Sequence, residues 1–256
     1  MGLKVCSIAS GSSGNCIYLA SDTTTLIIDA GVSCRRIKQS LMAIGDRANE
    51  VNLLVTHSHT DHVCGLKMVC KSLLPNVYTH YLTSPRISSL LGGYNNLKEF
   101  SGDFYVGDLT ISPFRVCHDV PCVGYSVYQG GKKISVVTDV GALTTENLRA
   151  IQGSDVVLIE SNHDEKMLMS NARYSIELKR RILSDRGHLS NTSCAQAVVQ
   201  CVKSGAKQII LGHLSKENNT PELAYSTTYS ALKREGLNAN VCVALQDKIS
   251  ELIEVN

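Results

Sequence analysis

The segment Thr56-His57-Ser58-His59-Thr60-Asp61-His62 restricts what this chain can fold into more than any other feature. It follows the apolar run at residues 51–55, which predicts a short buried strand. His57 and His59 are two residues apart, so in an extended chain their rings leave the same side, while Asp61 and His62 lie past the strand end. A polar turn that holds histidines by chance is the alternative, but three of the chain's eight histidines lie in this window. The segment therefore predicts a metal site at the end of a strand.

The composition is that of an ordinary globular protein. Hydrophobic residues make up 43% and charged residues 19% of the 256 residues, as in typical domains. The net charge of +2 gives no general attraction for nucleic acid, so such a partner has to be argued from local patches. No apolar run is long enough to span a bilayer and no signal peptide is evident, so we expect a cytoplasmic protein without a membrane partner. The ten cysteines lack Cys-x-x-Cys spacing and are expected to be mostly buried thiols.

Short strand-like runs alternate with helical patterns along the chain, which predicts an α/β fold. Several apolar runs are continuous, as expected for sheets that are covered on both faces. Strands are predicted at residues 3–9, 15–20, 25–29, 51–55, 77–81, 109–116, 124–129, 133–138, 155–160, 207–212 and 239–244. Helices are predicted at residues 33–44, 65–74, 84–91, 144–151, 173–184, 190–204 and 221–235. No linker separates parts of the chain, so residues 1–256 are expected to form a single domain.

Four further polar residues end or directly follow predicted apolar strands: His118, Asp139, Glu160 and His213. A polar group delivered by an apolar strand lies at a sheet edge, where strands converge on a site. Taken singly, each is expected to be a satisfied turn residue. Taken together with the histidine-rich segment at residues 56–62, they favour a set of metal ligands.

With these residues in this order, the chain resembles the metallo-β-lactamase superfamily. The mark of that superfamily is a His-x-His-x-Asp-His motif, found here at residues 57–62, and His118, Asp139 in a Thr-Asp-x-Gly context and His213 follow it in the expected order. Four segments are similar to signatures of the bacterial branch named YycJ, WalJ or VicX, at residues 10–15, 160–164, 187–191 and 212–219. The resemblance covers the whole chain and implies a four-layer αβ/βα sandwich of two similar halves, with metals between the sheet edges.

The resemblance also implies two divalent metal ions per chain. It assigns seven ligands to three roles: those of the first ion, those of the second ion, and a bridge between the two. The ligands of the first ion are His57, His59 and His118, those of the second are Asp61, His62 and His213, and the bridge is Asp139. Imidazole nitrogens and carboxylates suit Zn²⁺ and Mn²⁺, and also Fe²⁺, so the residues do not choose between these metals.

The same resemblance implies a hydrolase that cleaves phosphodiester bonds with a hydroxide held between the two ions. A metal-bound water can have its pKa brought to roughly 7, so a nucleophile exists at neutral pH. Asp61 is expected to orient this hydroxide as well as bind metal. His188 is the candidate general acid for the leaving sugar oxygen, with Glu160 holding its ring. His163 is the alternative acid, and geometry decides between the two.

Ser190, Asn191 and Asn15 are candidate substrate contacts that each have a structural alternative. The first two precede the apolar stretch at residues 195–202, so they are helix caps, part of a phosphate-binding helix N-terminus, or both. The Ser-Gly-Ser-Ser-Gly-Asn run at residues 10–15 lacks the order of a Walker loop and predicts a tight turn. In the superfamily this turn lies near the metals, which makes Asn15 a candidate.

Arg180 and Arg181 are the candidate phosphate contacts. They belong to a basic stretch that is ordinarily a solvated helix face, but this stretch directly precedes His188. Phosphate contacts of this kind make binding fall steeply with salt. Tryptophan is absent and phenylalanine is scarce, which argues for contacts along the nucleic-acid backbone rather than extensive base stacking.

The leading hypothesis is a dinuclear metal-dependent nuclease that acts on DNA in an exonuclease-like manner, as the branch resemblance implies. An RNA-processing nuclease is the closest alternative. A β-lactamase is disfavoured by the lack of a secretion signal, and a glyoxalase-type thioesterase gives no reason for Glu160 and His188 beside a basic helix. A regulatory metallohydrolase linked to cell-wall two-component signalling is a further alternative, although a decayed enzyme would have lost ligands and none of the seven is missing.

Overall fold

The computed structural model describes residues 2–46 and 50–255. Two seven-stranded sheets lie at its centre. The first sheet contains β1 (Leu3–Ala9), β2 (Cys16–Ala20), β3 (Thr25–Ile28), β4 (Val51–Val55), β5 (Asn76–His80), β6 (Leu97–Phe100) and β14 (Ile253–Val255). The second sheet contains β7 (Phe104–Val106), β8 (Leu109–Val116), β9 (Cys122–Gln129), β10 (Lys132–Val137), β11 (Val156–Glu160), β12 (Gln208–Gly212) and β13 (Asn240–Val243).

The two sheets have the same plan. In the first, β14, β1, β2 and β3 are antiparallel neighbours, and β3 to β6 run parallel. In the second, β7 to β10 are antiparallel neighbours, and β10 to β13 run parallel. Because the carboxyl ends of parallel strands lie at one edge of a sheet, the residues that follow β3 and β4, or β10 to β12, are brought to a common edge.

Side chains of the central strands alternate between two apolar layers. Val156 and Leu158 of β11 pack in the layer between the sheets, which also contains Leu54 of β4. Val157 and Ile159 of β11 pack on the opposite face against helices. Burial on both faces explains why these strands are continuous apolar runs rather than alternating ones.

Helices cover the outer face of each sheet. In chain order they are α1 (Cys34–Ile44), α2 (Thr60–Val63), α3 (Leu66–Leu73), α4 (Ser84–Leu91), α5 (Thr145–Ile151), α6 (Glu165–Ser170), α7 (Ile176–Ile182), α8 (Asn191–Lys203) and α9 (Pro221–Arg234). α1, α3 and α4 pack on the first sheet, and α5, α8 and α9 pack on the second. α7 differs from these because it has no buried residue. None of the helices in the described part of the chain combines the length and apolarity needed to cross a membrane.

The predicted four-layer α/β sandwich is confirmed, and the predicted strands and helices agree with the observed ones to within a few residues. The sequence patterns missed β6, β7, β14, α2 and α6. These elements have three to six residues, which is too short for a periodic pattern to develop. That residues 1–256 form one domain stays a prediction, and its two end residues lie outside the described part.

Candidate metal centre

The seven predicted ligands lie together at the facing edges of the two sheets. They form two groups in which the ligand atoms are within 4.8 Å of one another. The groups are His57, His59 and His118, and Asp61, His62, Asp139 and His213. The four ligands of the motif come from the segment that follows β4 and leads into the short helix α2, whereas His118, Asp139 and His213 follow β8, β10 and β12. The fold therefore assembles the centre from one loop-and-helix segment and three separate strand ends.

The distances between the donor atoms suit a bound divalent ion. His62 Nε2 and His213 Nε2 lie 3.4 Å and 3.5 Å from Asp61 Oδ2, and His118 Nε2 lies 3.2 Å from His59 Nδ1. Ligand atoms about 2.0–2.2 Å from an ion at tetrahedral angles are themselves about 3.4 Å apart. Within each group, the residues are thus spaced as ligands of one shared ion.

Each of the five histidines of the centre holds one ring nitrogen against a protein oxygen. Four of them donate a hydrogen bond there, to Thr56 Oγ1 from His57 (3.0 Å), Asp29 Oδ2 from His62 (2.6 Å), Gly187 O from His118 (3.3 Å) and Glu160 Oε1 from His213 (2.8 Å). In the fifth, His59 Nε2 lies 3.2 Å from Asp119 Oδ1. Such a bond fixes the tautomer and leaves a lone pair on the other nitrogen, as in metal-ligating histidines. In each ring that second nitrogen is the one that faces the other ligands.

Two buried atoms at the centre support the same assignment. Both His57 Nε2 and Asp139 Oδ2 are inaccessible to solvent; His57 Nε2 makes no hydrogen bond with the described residues, and Asp139 Oδ2 faces the ligand nitrogen His62 Nε2 at 2.9 Å. A buried polar atom without a partner is costly and calls for an explanation such as an ion. A divalent cation would satisfy both atoms, so the donor set fits the metals that the sequence predicts.

The charge balance of the centre also fits a cation. Although burial alone would lower it, the nearby Asp139 and Glu160 carboxylates raise the pKa of His213 to about 10. The pKa of His62 is likewise raised well above its usual value by Asp139 and Asp29 against the effect of burial. Without an ion, protons on these two rings balance the buried carboxylates. Ions that bind such a site displace protons, since a ligating imidazole has to be neutral.

Backbone strain is concentrated at the centre. Among the described non-glycine residues, positive φ angles occur at Asp29 (63°), Leu74 (51°), Asp139 (55°) and His213 (56°). Three of these four residues directly follow β3, β10 or β12 or lie one residue further on, and their side chains all point to the centre. Left-handed conformations of non-glycine residues cost about 1–3 kcal/mol each and cluster at functional sites. The strain turns the chain sharply at the strand end and directs each side chain inward.

Asp29 is a residue of the centre that the sequence analysis missed. It accepts hydrogen bonds from Thr56 N and Thr56 Oγ1 (2.8 Å and 2.7 Å) and from His62 Nδ1. Through these bonds it orients the His62 ring and joins the ends of β3 and β4. It ends the apolar run Leu26-Ile27-Ile28, so the rule that identified Asp139 would have found it.

Glu160 connects the predicted general acid to the metal ligands. Its Oε1 accepts hydrogen bonds from His188 Nδ1 (2.7 Å) and His213 Nδ1 (2.8 Å), and its Oε2 accepts one from Val140 N (2.8 Å). Burial opposes ionisation of Glu160, but the two histidines hold its pKa down at about 2. Although burial alone would lower it, the same carboxylate raises the pKa of His188 above its usual value. The predicted contact between Glu160 and His188 is therefore present, and the contact with His213 is new.

Asp119 is a second residue that the sequence analysis did not single out. One oxygen lies 3.2 Å from His59 Nε2 and 3.4 Å from His118 Nε2, and the other accepts a hydrogen bond from Arg181 Nη2 (2.6 Å). Arg181 is on the exposed helix α7. The Asp119 carboxylate thus links the predicted ligand His59 to the basic helix α7.

The remaining candidate substrate residues occupy different environments. Asn15 is buried, and its Nδ2 donates to Asp61 Oδ2 (3.2 Å) and lies 3.0 Å from His62 Nε2. Ser190 caps α8 and donates to Glu165 (2.9 Å). Asn191 is buried and is bonded to Ser161 and Asn219. Arg180 is exposed on α7. Of these four, the structure brings only Asn15 against the metal ligands.

A glycine sets the position of the Asp61 loop. Gly31 N donates to Asn15 O (2.8 Å), and Asn15 N donates to Asp61 O (2.8 Å). A Cβ atom at Gly31 would lie 1.7 Å from Asp61 O. Only glycine therefore lets the two loops approach closely enough to place Asp61 beside His62 and His213.

A pocket of about 210 Å³ opens next to the centre. His118, Asp119 and His188 line one side of it, and Tyr174, Arg181 and Arg186 from the segment around α7 line another. His188 Nδ1 is bonded to Glu160, which leaves Nε2 as the nitrogen for a molecule in this pocket. The buried His163 has both ring nitrogens without a hydrogen bond to the described residues, and it does not line this pocket.

Comparison with known proteins agrees with this geometry. The family model described as "Beta-lactamase superfamily domain" matches residues 24–214. The chain is 34% identical to "Exodeoxyribonuclease WalJ" of Streptococcus pneumoniae, with 96% of this chain and 94% of that protein covered, and 33% identical to "Exodeoxyribonuclease YycJ" of Bacillus anthracis, with 96% of each covered. Among solved structures, the metallo-beta-lactamase fold protein YhfI from Bacillus subtilis covers 100% of both chains with a TM-score of 0.74 at 14% identity, which is a likeness of fold.

Proposed function

This chain belongs to the beta-lactamase superfamily domain family, and from that membership we propose that it is a metal-dependent exonuclease that hydrolyses phosphodiester bonds of DNA. Relatives that cover nearly the full length of both chains are named exodeoxyribonucleases, which supports both the reaction and the substrate. The observation that carries the proposal is the arrangement of the five histidines. Each holds one ring nitrogen against a protein oxygen and keeps its other nitrogen among the shared ligands.

Two divalent ions per chain, Zn²⁺ or Mn²⁺, fit this donor set, with Fe²⁺ as a further option. His57, His59 and His118 would hold one ion, and Asp61, His62 and His213 the other, with Asp139 between them. When bound, such ions act as Lewis acids that lower the pKa of water and stabilise the charge that develops on the phosphate oxygens.

Asp61 is the ligand with a second task in this proposal. Its contacts with Asn15, His62 and His213 are all made by Oδ2. That leaves Oδ1 to accept a hydrogen bond from the attacking water and so to orient it. The carboxyl group is 23% exposed, more than Asp139 at 2%, which allows water to reach it.

His188 is the proposed general acid. The Glu160 carboxylate fixes its ring through Nδ1, and Nε2 is left to donate a proton to the departing sugar oxygen. The ring lines the pocket beside the centre and is 26% exposed, so a substrate can reach it. His163, the alternative acid, is buried and outside this pocket. Geometry therefore favours His188.

The proposal is tested by loading the protein with Zn²⁺ or Mn²⁺ and offering it end-labelled single- and double-stranded DNA and RNA. We expect removal of nucleotides from DNA ends, with RNA cleaved more slowly, and loss of this activity in Asp61→Ala. Metal content is measured on the same samples. Cleavage that Asp61→Ala leaves intact would come from a contaminant, and faster cleavage of RNA than DNA would reassign the substrate.

A further inference from the structure

A second pocket lies beside the one that contains His188. Its volume is about 570 Å³, and its apolar lining includes Leu214, Pro221, Ala244 and Leu245. Lys216 and Lys248 also line it. Leu245 is 40% exposed, so an apolar surface is open to a ligand here. An apolar surface with cationic side chains beside it suits a ligand that has flat apolar parts and negative charges.

This apolar pocket adjoins the pocket beside the metal centre. Ser215 lines both the apolar pocket and the pocket that contains His188. Ser10, which also lines the apolar pocket, accepts a hydrogen bond from the backbone N of the predicted ligand His213 (2.7 Å). The two pockets therefore share a wall at Ser215, so a polymer bound with one phosphodiester at the centre has to pass this residue to reach the apolar pocket.

A row of aromatic side chains leads away from the same pocket along α9. Pro221, at the start of this helix, lines the pocket, and Tyr225 and Tyr229 follow at intervals of four residues. Residues four apart are neighbours on a helix surface. The two tyrosine rings stack on each other, with centroids 5.8 Å apart and planes 10° from parallel, and they are 41% and 50% exposed. Exposed Lys233 lies one further turn along the helix.

We propose that the apolar pocket and the Tyr225–Tyr229 pair bind the single-stranded part of a nucleic-acid substrate next to the phosphodiester that is cleaved. This proposal rests on the nuclease function and names the form of its substrate. Bases enter the apolar pocket and stack on the tyrosines, and the lysines contact phosphates. Every base has a π-face, so such stacking tolerates any sequence. Paired bases are occupied within the duplex, so only an unpaired strand can make these contacts.

The charged residues that line the apolar pocket are Lys216, Lys248 and Asp247, which leaves one net positive charge for a polyanion. Lys216 lies 3.7 Å from Asp247, but both side chains are more than half exposed, so a phosphate can compete for the lysine. Lys248 adds a second positive charge in the same pocket. Tyr105 offers a control for the two tyrosines of α9. It is exposed on β7, at the edge of the second sheet opposite β13, and it lines neither pocket.

The test compares single-stranded oligonucleotides of two and of about twelve nucleotides, a range set by typical strand-binding sites. The protein variants are Tyr225→Ala with Tyr229→Ala, the same pair changed to Phe, and Tyr105→Ala as the matched control. Stacking loses about fivefold to 150-fold in affinity per base when the aromatic ring is removed. We expect the alanine pair to raise KM for the long oligonucleotide at least tenfold, with a much smaller change for the dinucleotide. The phenylalanine pair and Tyr105→Ala should match the wild type.

A direct readout of stacking accompanies the kinetics. The fluorescent base 2-aminopurine is placed at successive positions of the long oligonucleotide, and the wild type should quench it at positions that the alanine pair does not. Equal KM values and equal quenching in wild type and alanine pair would overturn the strand path while leaving nuclease activity intact. Absence of any cleavage would instead overturn the nuclease function, and binding and quenching would still be measurable. A dimer of the wild type that the alanine pair abolishes would identify a second copy as the partner of this surface and overturn the proposal.

Discussion

The two groups of ligands at the centre differ in what holds their histidines in place. In the group of Asp61, His62, Asp139 and His213, the supporting carboxylates are Asp29 and Glu160, which are almost completely buried. In the group of His57, His59 and His118, the supporting carboxylate is Asp119, which is 30% exposed and is bonded to Arg181 on an exposed helix.

This difference separates a rigid half of the centre from an accessible one. Buried carboxylates interact strongly with their histidines because little water screens them, whereas an exposed carboxylate is screened. The rigid half, which contains Asp61, His62, Asp139 and His213, can hold its ion in one geometry. The accessible half lies at the pocket where a phosphate group would compete with Asp119 for Arg181. Four experiments test this division, and they are described in order of decreasing expected effect.

Asp139→Ala should have the largest effect, because Asp139 faces ligands of both groups. Its oxygens lie 2.9 Å from His62 Nε2, 3.5 Å from His213 Nε2 and 3.9 Å from His118 Nε2. We expect fewer than two ions per chain by elemental analysis and a loss of activity larger than the 10–100-fold typical of an outer-shell partner. Asp119→Ala is the matched control and should retain its ions. An Asp139→Ala protein with full metal content would remove the bridge from the proposal.

His188→Ala should lower kcat about 10²–10⁴-fold on DNA while both ions are retained, because the leaving oxygen then lacks a proton donor. A substrate with a p-nitrophenolate leaving group needs no such donor, so the same variant should cleave bis(p-nitrophenyl) phosphate at nearly the wild-type rate. His163→Ala is the control on DNA. An equal loss of kcat on both substrates would instead mean that His188 supports the structure of the rigid half and is not a proton donor.

Asp29→Asn and Asp119→Asn compare the supports of the two halves directly. Loss of an outer carboxylate typically weakens metal binding 10–100-fold, and we expect Asp29→Asn to lie in this range. Asp119→Asn should weaken the other ion by less than about tenfold because its carboxylate is partly screened. Competition with a chelator measures both affinities. A larger loss for Asp119→Asn would reverse the division between a rigid and an accessible half.

Arg180→Gln and Arg181→Gln should have the smallest effect at low salt. Each phosphate contact that is lost reduces the slope of log KM against log salt concentration by about 0.7–0.9. Arg181→Gln should reduce the slope only if the substrate phosphate displaces Asp119 from Arg181 in the wild type. Comparing the slopes of Arg181→Gln and Arg180→Gln therefore tests whether substrate breaks the link from Arg181 through Asp119 to His59. Arg173→Gln, whose side chain pairs with Glu217, serves as the control.

The sequence predicted the parts of the centre that depend on single strands. His57, His118, Asp139 and His213 were found because each follows a strand-like run, and the carboxyl ends of such runs meet at a sheet edge. Asp29 obeys the same rule and was overlooked because it is not part of the motif. The assignment of ligands to each ion came from family resemblance and stays a prediction.

Features that depend on contacts between distant segments were not predictable in this way. The link from His59 through Asp119 to Arg181 joins residues at least 60 positions apart. Ser215 separates two pockets only because the loops after β11 and β12 lie side by side, as the bond from Ser215 N to Asn162 O shows (2.8 Å). Sequence periodicity records which face of a strand or helix is apolar, but it does not record where the loops meet.

The left-handed residues at the centre have a consequence for how much of this protein a cell contains. Asp29, Asp139 and His213 hold strained conformations in the folded chain only, so the ion-free protein carries their full cost. An ion that binds the folded state alone restores stability by mass action. A small loss of stability exposes more of the chain to proteases and lowers its steady-state amount. Metal supply would therefore set the abundance of the protein as well as its activity, and chelation in growing cells should shorten its lifetime before any change in its synthesis.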